Sequence, residues 1–316
     1  MDRDLLPHLS VILAVARRGG FAAAAAELGM SPSAVSHAVK TVEDRLRTPL
    51  FARTTRSVAL TQAGENLVAS AGPALNEIEE SLDRLRSASG TISGLLRINA
   101  PRVALPLAIT PVVAMLAWRH PDLVVEIASD DALADIVAGG FDAGVRLGGM
   151  IAQDMVAVRL TPPFKAIMTA APSYIEAKGE PMTIDDLAHH NCIGFRQLAS
   201  GGVYAWDLAR DGEDISVAVK GTMLVTDPTY AKDLALAGVG IAYLFEPLVR
   251  AEIRERRLRW ILPQAAIEEP GLFLYYPRRA SIAPKLRAFI ATAREVLASG
   301  SAELTPPAVS PSTNPG

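Results

Sequence analysis

The spacing of hydrophobic positions along this chain changes character once, near residue 95. Before that point apolar residues recur at three- and four-residue steps, the signature of helices with one buried stripe. Leu5, Leu9, Ile12, Leu13 and Ala16 predict a first helix ending near Arg17, where Gly19-Gly20 interrupts the pattern. Phe21 precedes a short alanine-rich helix over 22–28, whose small side chains let another helix cross closely. Gly29 is a natural left-handed stop. A third helix opens at Ser31-Pro32, with Ser31 placed to cap the free N–H groups and Pro32 at the first helical position, where no donor is needed. Ala34, Val35, Ala38, Val39, Val42 and Leu46 form its predicted buried stripe, and Ser33, Ser36, His37, Lys40 and Thr41 its polar face.

Two helices joined by a short turn over 22–46 have the helix-turn-helix layout, with the second helix as reader. Its hydroxyls, imidazole and ammonium can reach phosphate oxygens or base edges in a major groove. The following stretch, Thr48 to Thr61, reads as a two-stranded wing. Leu50 and Phe51 anchor it, Val58-Ala59-Leu60 forms a strand, and Arg53 and Arg56 flank its tip, where guanidiniums suit a phosphate backbone. From Thr61 to about residue 88 a long helix carries Leu67, Ala71, Ala74, Ile78, Leu82 and Leu85 at near-heptad spacing. Pro73 is expected to kink it or end its first turns. Such a seam calls for a partner, and dimerisation supplies one, since a two-fold protein reads a two-fold site.

Beyond a linker at 87–94 the pattern becomes strand and helix in alternation. Strands are expected at 95–100, 123–128 and 142–147, with helices at 105–119 and 132–138. A second unit has strands at 165–170, 191–195, 222–225, 240–244 and 258–261 and a helix at 229–237. A strand at 271–276 and a helix at 284–298 complete the first unit if the chain crosses back. This predicts mostly parallel sheets with helices on both faces. Two lobes joined by two crossings leave a cleft, and clefts between lobes bind small molecules. The expected domains are 1–60 for the winged unit, 61–88 for the linker helix, 89–94 for a hinge and 95–300 for the two-lobed unit. Within the last, lobe I covers about 95–163 and 268–300 and lobe II about 164–267; 301–316 is a Pro- and Ser-rich tail expected to be disordered.

Composition narrows this further. The chain has 316 residues, a formal charge of −3 and one cysteine, Cys192. A single cysteine excludes an internal disulfide or a multi-cysteine zinc site and fits a reducing cytoplasm. Cys192 reads as a packing residue, and His189-His190 as loop residues. Residues 1–60 hold eight basic and five acidic side chains, a net +3, and the remainder carries −6. A basic front on an acidic body points to a polyanion partner for the front alone. The apolar run 103–118 is broken by Pro106 and Pro111 and falls short of the ~20 residues a membrane span requires. No nucleophile elbow, phosphate-binding loop or metal-binding His pair appears. Gly238-Val239-Gly240 precedes a strand instead of following one, so it is no dinucleotide fingerprint. Neither catalytic nor metal-ligating residues nor a cofactor are therefore expected.

The segments Phe21 to Leu28, Ser31 to Ser36, Val42-Glu43-Asp44-Arg45-Leu46, Pro49 to Arg56 and Leu60 to Glu65 resemble, in order and spacing, the LysR-type transcriptional regulators. The likeness is dense over 5–66. Over 95–298 it is looser, resting on Leu96-Arg97-Ile98, on Phe141 to Arg146 and on Ala237 to Ala242. The resemblance implies an N-terminal all-α winged helix-turn-helix with a long linker helix that dimerises it. It also implies a C-terminal α/β two-lobed domain like a type II periplasmic binding protein. Tetramers of paired dimers, promoter bending and a bacterial cytoplasmic setting are further implications, with RNA polymerase as another candidate partner. Many members carry Arg where this chain has His37, which is a departure.

The resulting expectation is a DNA-binding regulator, not an enzyme, responsive to a small and anionic co-inducer. The candidate DNA contacts are Ser31, Ser33, Ser36, His37, Lys40, Arg53 and Arg56. Ligands of open α/β sheets sit at the carboxyl ends of strands. That rule selects Ala100, Arg102, Val103, Ser129, Arg146, Gly148, Phe195, Arg196, Thr226 and Phe245 for the effector. The strand-end segment Val225-Thr226-Asp227 and the helix start near Thr229 lie in the same region.

Overall fold

Local periodicity and caps account for the front of the molecule in the computed structural model. The model describes residues 5–53, 58–87, 91–131, 136–137, 139–151, 155–198, 200–278, 280 and 283–298. Helix α1 (Leu6–Arg18) ends at Gly19, whose φ of 65° lets its N–H reach back to the Val15 carbonyl. Helices α2 (Phe21–Leu28) and α3 (Pro32–Leu46) follow, then the hairpin β1 (Phe51–Arg53) and β2 (Val58–Leu60) and the long helix α4 (Gln62–Ser87). Their shared core joins Val11, Ile12 and Val15 of α1, Ala24 and Ala25 of α2, Val35, Val39 and Val42 of α3, and Leu50 and Phe51. Helix α4 runs on as one α-helix through Pro73. It therefore does not end at the proline, one of the two outcomes the sequence left open.

The second half forms two sheets. Lobe I comprises β3 (Gly94–Ala100), α5 (Thr110–Arg119), β4 (Leu123–Ser129), β5 (Ala143–Leu147) and β6 (Met155–Arg159). The chain then enters lobe II with β7 (Phe164–Ala170), α6 (Pro172–Lys178), β8 (Cys192–Phe195), the hairpin β9 (Trp206–Arg210) and β10 (Glu213–Val217), and β11 (Leu224–Val225). Lobe II continues with α7 (Pro228–Leu236), β12 (Ile241–Phe245), α8 (Glu246–Arg254), β13 (Arg259–Ile261) and β14 (Ile267–Glu269). Strand β15 (Leu272–Pro277) and helix α9 (Pro284–Ala298) return to lobe I. The helix expected over 132–138 lies largely outside the described residues.

The lobe I sheet has the order β4-β3-β5-β15-β6, and the main path of lobe II is β11-β8-β12-β7-β13. Strands β4, β3 and β5 are parallel, as are β11, β8 and β12. Strand β15 is antiparallel to both β5 and β6, and β7 is antiparallel to β12, β13 and β14. The sheets are thus mixed, where mostly parallel ones were expected. The difference arises at the crossings. A strand that leaves or re-enters a lobe needs no helical crossover to reach its neighbour, so nothing forces it parallel. Strand β7 divides the lobe II core, with Met168 and Ala170 on one face and Ile167 on the other. Leu96, Ile98, Val112, Leu116, Val145, Leu274 and Phe289 fill lobe I beneath α5 and α9. Val103 and Leu107 of lobe I pack against the lobe II cluster, and Phe245 touches both cores.

Candidate DNA face and effector cleft

The turn between α2 and α3 is set by three residues. Gly29 sits at φ 63° and bonds back to Ala25. Ser31 is extended at φ −77°, ψ 147°, and its hydroxyl accepts from Ala34 N at 3.2 Å. Pro32 then starts α3 without wasting a donor. Val35, Ala38, Val39 and Val42 are buried, and Ser33, His37 and Lys40 are exposed with Ser36 half-buried beside them. Ser31 is committed to its cap and to a 2.9 Å contact with the Ser33 hydroxyl.

The stripe fails at one position. Leu46 is 42% exposed. The helix closes at Arg47, which adopts φ 51°. Glu43 then turns the chain by accepting from Leu50 N at 2.8 Å and Phe51 N at 3.1 Å. Leu50 and Phe51 consequently enter the core that Leu46 was expected to reach. The base of the wing is stitched from the other side, with Thr61 N donating to the Leu50 carbonyl and Thr61 Oγ1 to that of Pro49. Arg53 closes β1, opposite Val58. Arg56 lies outside the described residues.

Between the lobes is a cavity of about 360 Å³ lined by Arg102, Leu105, Pro106, Thr110, Ser129, Asp227 and Thr229. Arg102 follows β3, Ser129 ends β4, and Asp227 and Thr229 lie at the start of α7, so both lobes contribute. Leu105 and Pro106 belong to one π-helical turn, Leu105–Ile109, that leads into α5. Turns of this kind recur at functional sites because they break the regular ladder. Arg102 binds Asp131 through its backbone N–H at 3.0 Å and its guanidinium at 2.5 Å, and it reaches the lobe II carbonyl of Thr226 at 3.4 Å. Asp227 caps α7, its Oδ1 accepting from Thr229 N at 2.8 Å and from the Thr229 hydroxyl at 2.5 Å.

Of the ten effector candidates, Arg102 and Ser129 line this cavity. Thr226 touches it through the Arg102 bond. The arginine cradle expected around an anion is dispersed. Arg146 is 2% exposed and donates to Asn99 Oδ1 and the Val145 carbonyl, both at 2.6 Å; burial lowers its pKa. Arg196 is exposed and bonds to the Gly201 carbonyl of its own loop. Ala100 is buried, Val103, Phe195 and Phe245 serve the apolar contacts between and within lobes, and Gly148 abuts Phe273. The candidate list missed Leu105, Pro106 and Thr110, which come from the helix after a strand end and not from the end itself. Asp227 and Thr229, named from sequence only as part of the same region, line the cavity where Thr226 itself does not.

Cys192 is buried, and burial pushes its thiol up to about 12, so it is a packing residue at ordinary pH. His190 Nδ1 lies 3.1 Å from the Tyr174 hydroxyl. No group of metal-ligating side chains is assembled among the described residues, and no described helix is long and apolar enough to cross a membrane.

A capped helix with a polar outer face beside a β-hairpin, joined through a long helix to two lobes around a cavity, defines a class: a DNA-binding regulator carrying its own ligand-binding domain. Residues 6–65 match the family model of the bacterial regulatory helix-turn-helix protein, LysR family, and residues 89–298 match the LysR substrate binding domain. The chain belongs to the LysR family of transcriptional regulators. It is 40% identical over 285 residues to the uncharacterized HTH-type transcriptional regulator YcaN of Escherichia coli K12, covering 90% of this chain and 93% of that protein. It is 33% identical over 290 residues to the HTH-type transcriptional regulator PgrR of the same organism, covering 92% and 97%. In fold it is similar to the full-length virulence activator AphB of Vibrio cholerae, with a TM-score of 0.62 at 20% identity, covering 92% of this chain and 99% of that one. That these relatives are transcriptional regulators agrees with the regulatory function expected from sequence. The N-terminal helix-turn-helix and C-terminal effector-binding domain do so as well.

Proposed function

We propose that this regulator binds a two-fold promoter site as a cytoplasmic homodimer or higher assembly, and that a small molecule in the inter-lobe cavity alters its grip on DNA. Helix α3 enters the major groove, with Ser33, Ser36, His37 and Lys40 at base edges or phosphates, Ser31 shaping the helix start, and Arg53 and Arg56 on the backbone. One observation carries this reading: α3 buries Val35, Ala38, Val39 and Val42 while keeping His37 and Lys40 in solvent. That register sets short polar and basic side chains on the outer face of the second helix of the pair, beside the hairpin, which is the arrangement a major-groove reader needs. Small-molecule control is supported by the cavity, whose walls come from two lobes that can move against each other.

Binding to promoter fragments upstream of the regulator's own gene and of its neighbour, followed against salt concentration, tests the DNA reading. Arg53→Ala is expected to weaken all sequences alike and to flatten the salt slope by about one counterion. Ser36→Ala and His37→Ala are expected to change site preference, by about 1–3 kcal/mol for a lost base contact. An unchanged salt slope for Arg53→Ala refutes the wing contact. An unchanged preference for both α3 variants refutes the reader helix.

A further inference from the structure

We propose that the polar end of the molecule held in the inter-lobe cavity is an organic ammonium group, bound at Asp227, and not a carboxylate bound at arginine. This rests on the reading of the cavity as the effector site and names the chemistry that site selects. Two charged side chains line the cavity, Arg102 and Asp227. Arg102 is neutralised within its own lobe by Asp131, which holds both its backbone N–H and its guanidinium. Asp227 has no such counter-charge: among the described residues no ion pair includes it. Its Oδ1 is engaged by Thr229, and no described donor bonds Oδ2. Of the two charges in the lining, Arg102 is thus already paired with Asp131, and Asp227 is the one left without a counter-ion among the described residues.

The usual anion subsite is closed as well. A helix N-terminus attracts anions through its exposed N–H groups. At α7 that place is taken by the Asp227 carboxylate, which already accepts from Thr229 N. An incoming carboxylate would face this fixed negative charge, and Arg102, already paired with Asp131 through Nη1, would offer it only Nε and Nη2. An ammonium meets the opposite situation. It pairs with Asp227, and the hydroxyl oxygens of Thr110 and Ser129 supply acceptors for its remaining N–H bonds. Leu105 and Pro106 offer an apolar wall for the hydrocarbon part of the same molecule. Among the three arginines expected around an anion, Arg146 and Arg196 are bonded elsewhere and line none of the cavity.

Matched probes on the full-length chain test this. Saturation-transfer NMR and calorimetry with benzylamine against benzoate, and cyclohexylamine against cyclohexanecarboxylate, compare like skeletons with opposite charge at millimolar concentration. The amine of each pair is expected to bind at least tenfold more tightly than its acid. Asp227→Asn, which keeps a capping side chain at α7, is expected to weaken the amines at least fivefold. Thr110→Lys, at an exposed position, is expected to do the same by placing a cation in the cavity. Acids that bind as well as amines, and lose affinity in Arg102→Gln, overturn the ammonium assignment but leave the cavity as the effector site. Binding that none of these variants changes, or silence from all four probes, overturns both.

Discussion

A single missing side chain holds the wing to the body. A Cβ at Gly64 would lie 2.2 Å from the Leu50 carbonyl oxygen and 2.9 Å from Leu60 Cδ2. The oxygen is backbone, in a segment already fixed by Glu43 and Thr61, so it has nowhere to retreat. Gly64→Ala is expected to cost about 2 kcal/mol by forcing α4 off the hairpin. Urea unfolding of the wild type and variant measures this, and an unchanged midpoint would show that the contact relaxes freely. At this scale the DNA face was largely legible from sequence, because caps and a 3.6-residue period are local properties. The cleft was not. Whether Arg102, Arg146 or Arg196 meets the cavity depends on Asp131, Asn99 and Gly201, partners that no spacing rule reveals.

Elements couple the front of the chain to the rear through charge. Arg17 and Arg18, at the end of α1, both bond to Glu27 of α2. Arg18 extends to Glu126 on β4 at 3.5 Å. Glu126 is gripped from the other side by Arg97 of β3, with two contacts of 3.1 Å, and Arg97 is only 7% exposed. Arg97 also donates to the Gly139 and Gly140 carbonyls. These hydrogen bonds from Arg97, more than the opposing burial, hold the Glu126 carboxyl below its ordinary value of 4.5, with Arg18 adding a further lowering. A depressed carboxylate stabilises the fold above its ordinary pKa and loses that contribution as pH falls through the depressed one. Glu126→Gln is therefore expected to cost lobe I about 2 kcal/mol at pH 7, since it leaves a buried guanidinium short of a charged acceptor. The gap to wild type should close on acidification, and melting curves across that range would show it. Parallel curves would exclude titration of Glu126 as the cause. None of this link was visible in the sequence, which placed Arg17 merely at a helix end and gave Glu126 no partner.

For the whole molecule the exposed seam of α4 is the remaining question. Ile78, Leu82 and Leu85 are 56%, 46% and 73% exposed, on a helix whose earlier residues Leu67 and Val68 pack into the core of the winged unit. The spacing assigned this stripe to a partner chain, and the helix instead divides it. Its first turns are spent on the winged unit and its later turns are left for the proposed second copy. Ile78→Glu combined with Leu82→Glu is expected to yield monomers in sedimentation velocity and to weaken operator binding, because each half-site then binds alone. A dimer that persists in this variant would move the interface elsewhere.

The order of helices, the turn at Gly29, the cap at Ser31 and the change of period near residue 95 needed only the sequence. Each is decided within about one turn of chain, and together they carry the family's pattern. The tertiary structure alone decided which strands run antiparallel, that Leu50 and Phe51 displace Leu46 from the core, and which charges face the cavity. These outcomes depend on groups far apart in the chain competing for one space or one counter-ion. Asp131 settles the fate of Arg102 across 29 residues of lobe I, and Ser129 and Asp227 come to line one cavity only once the two lobes stand face to face.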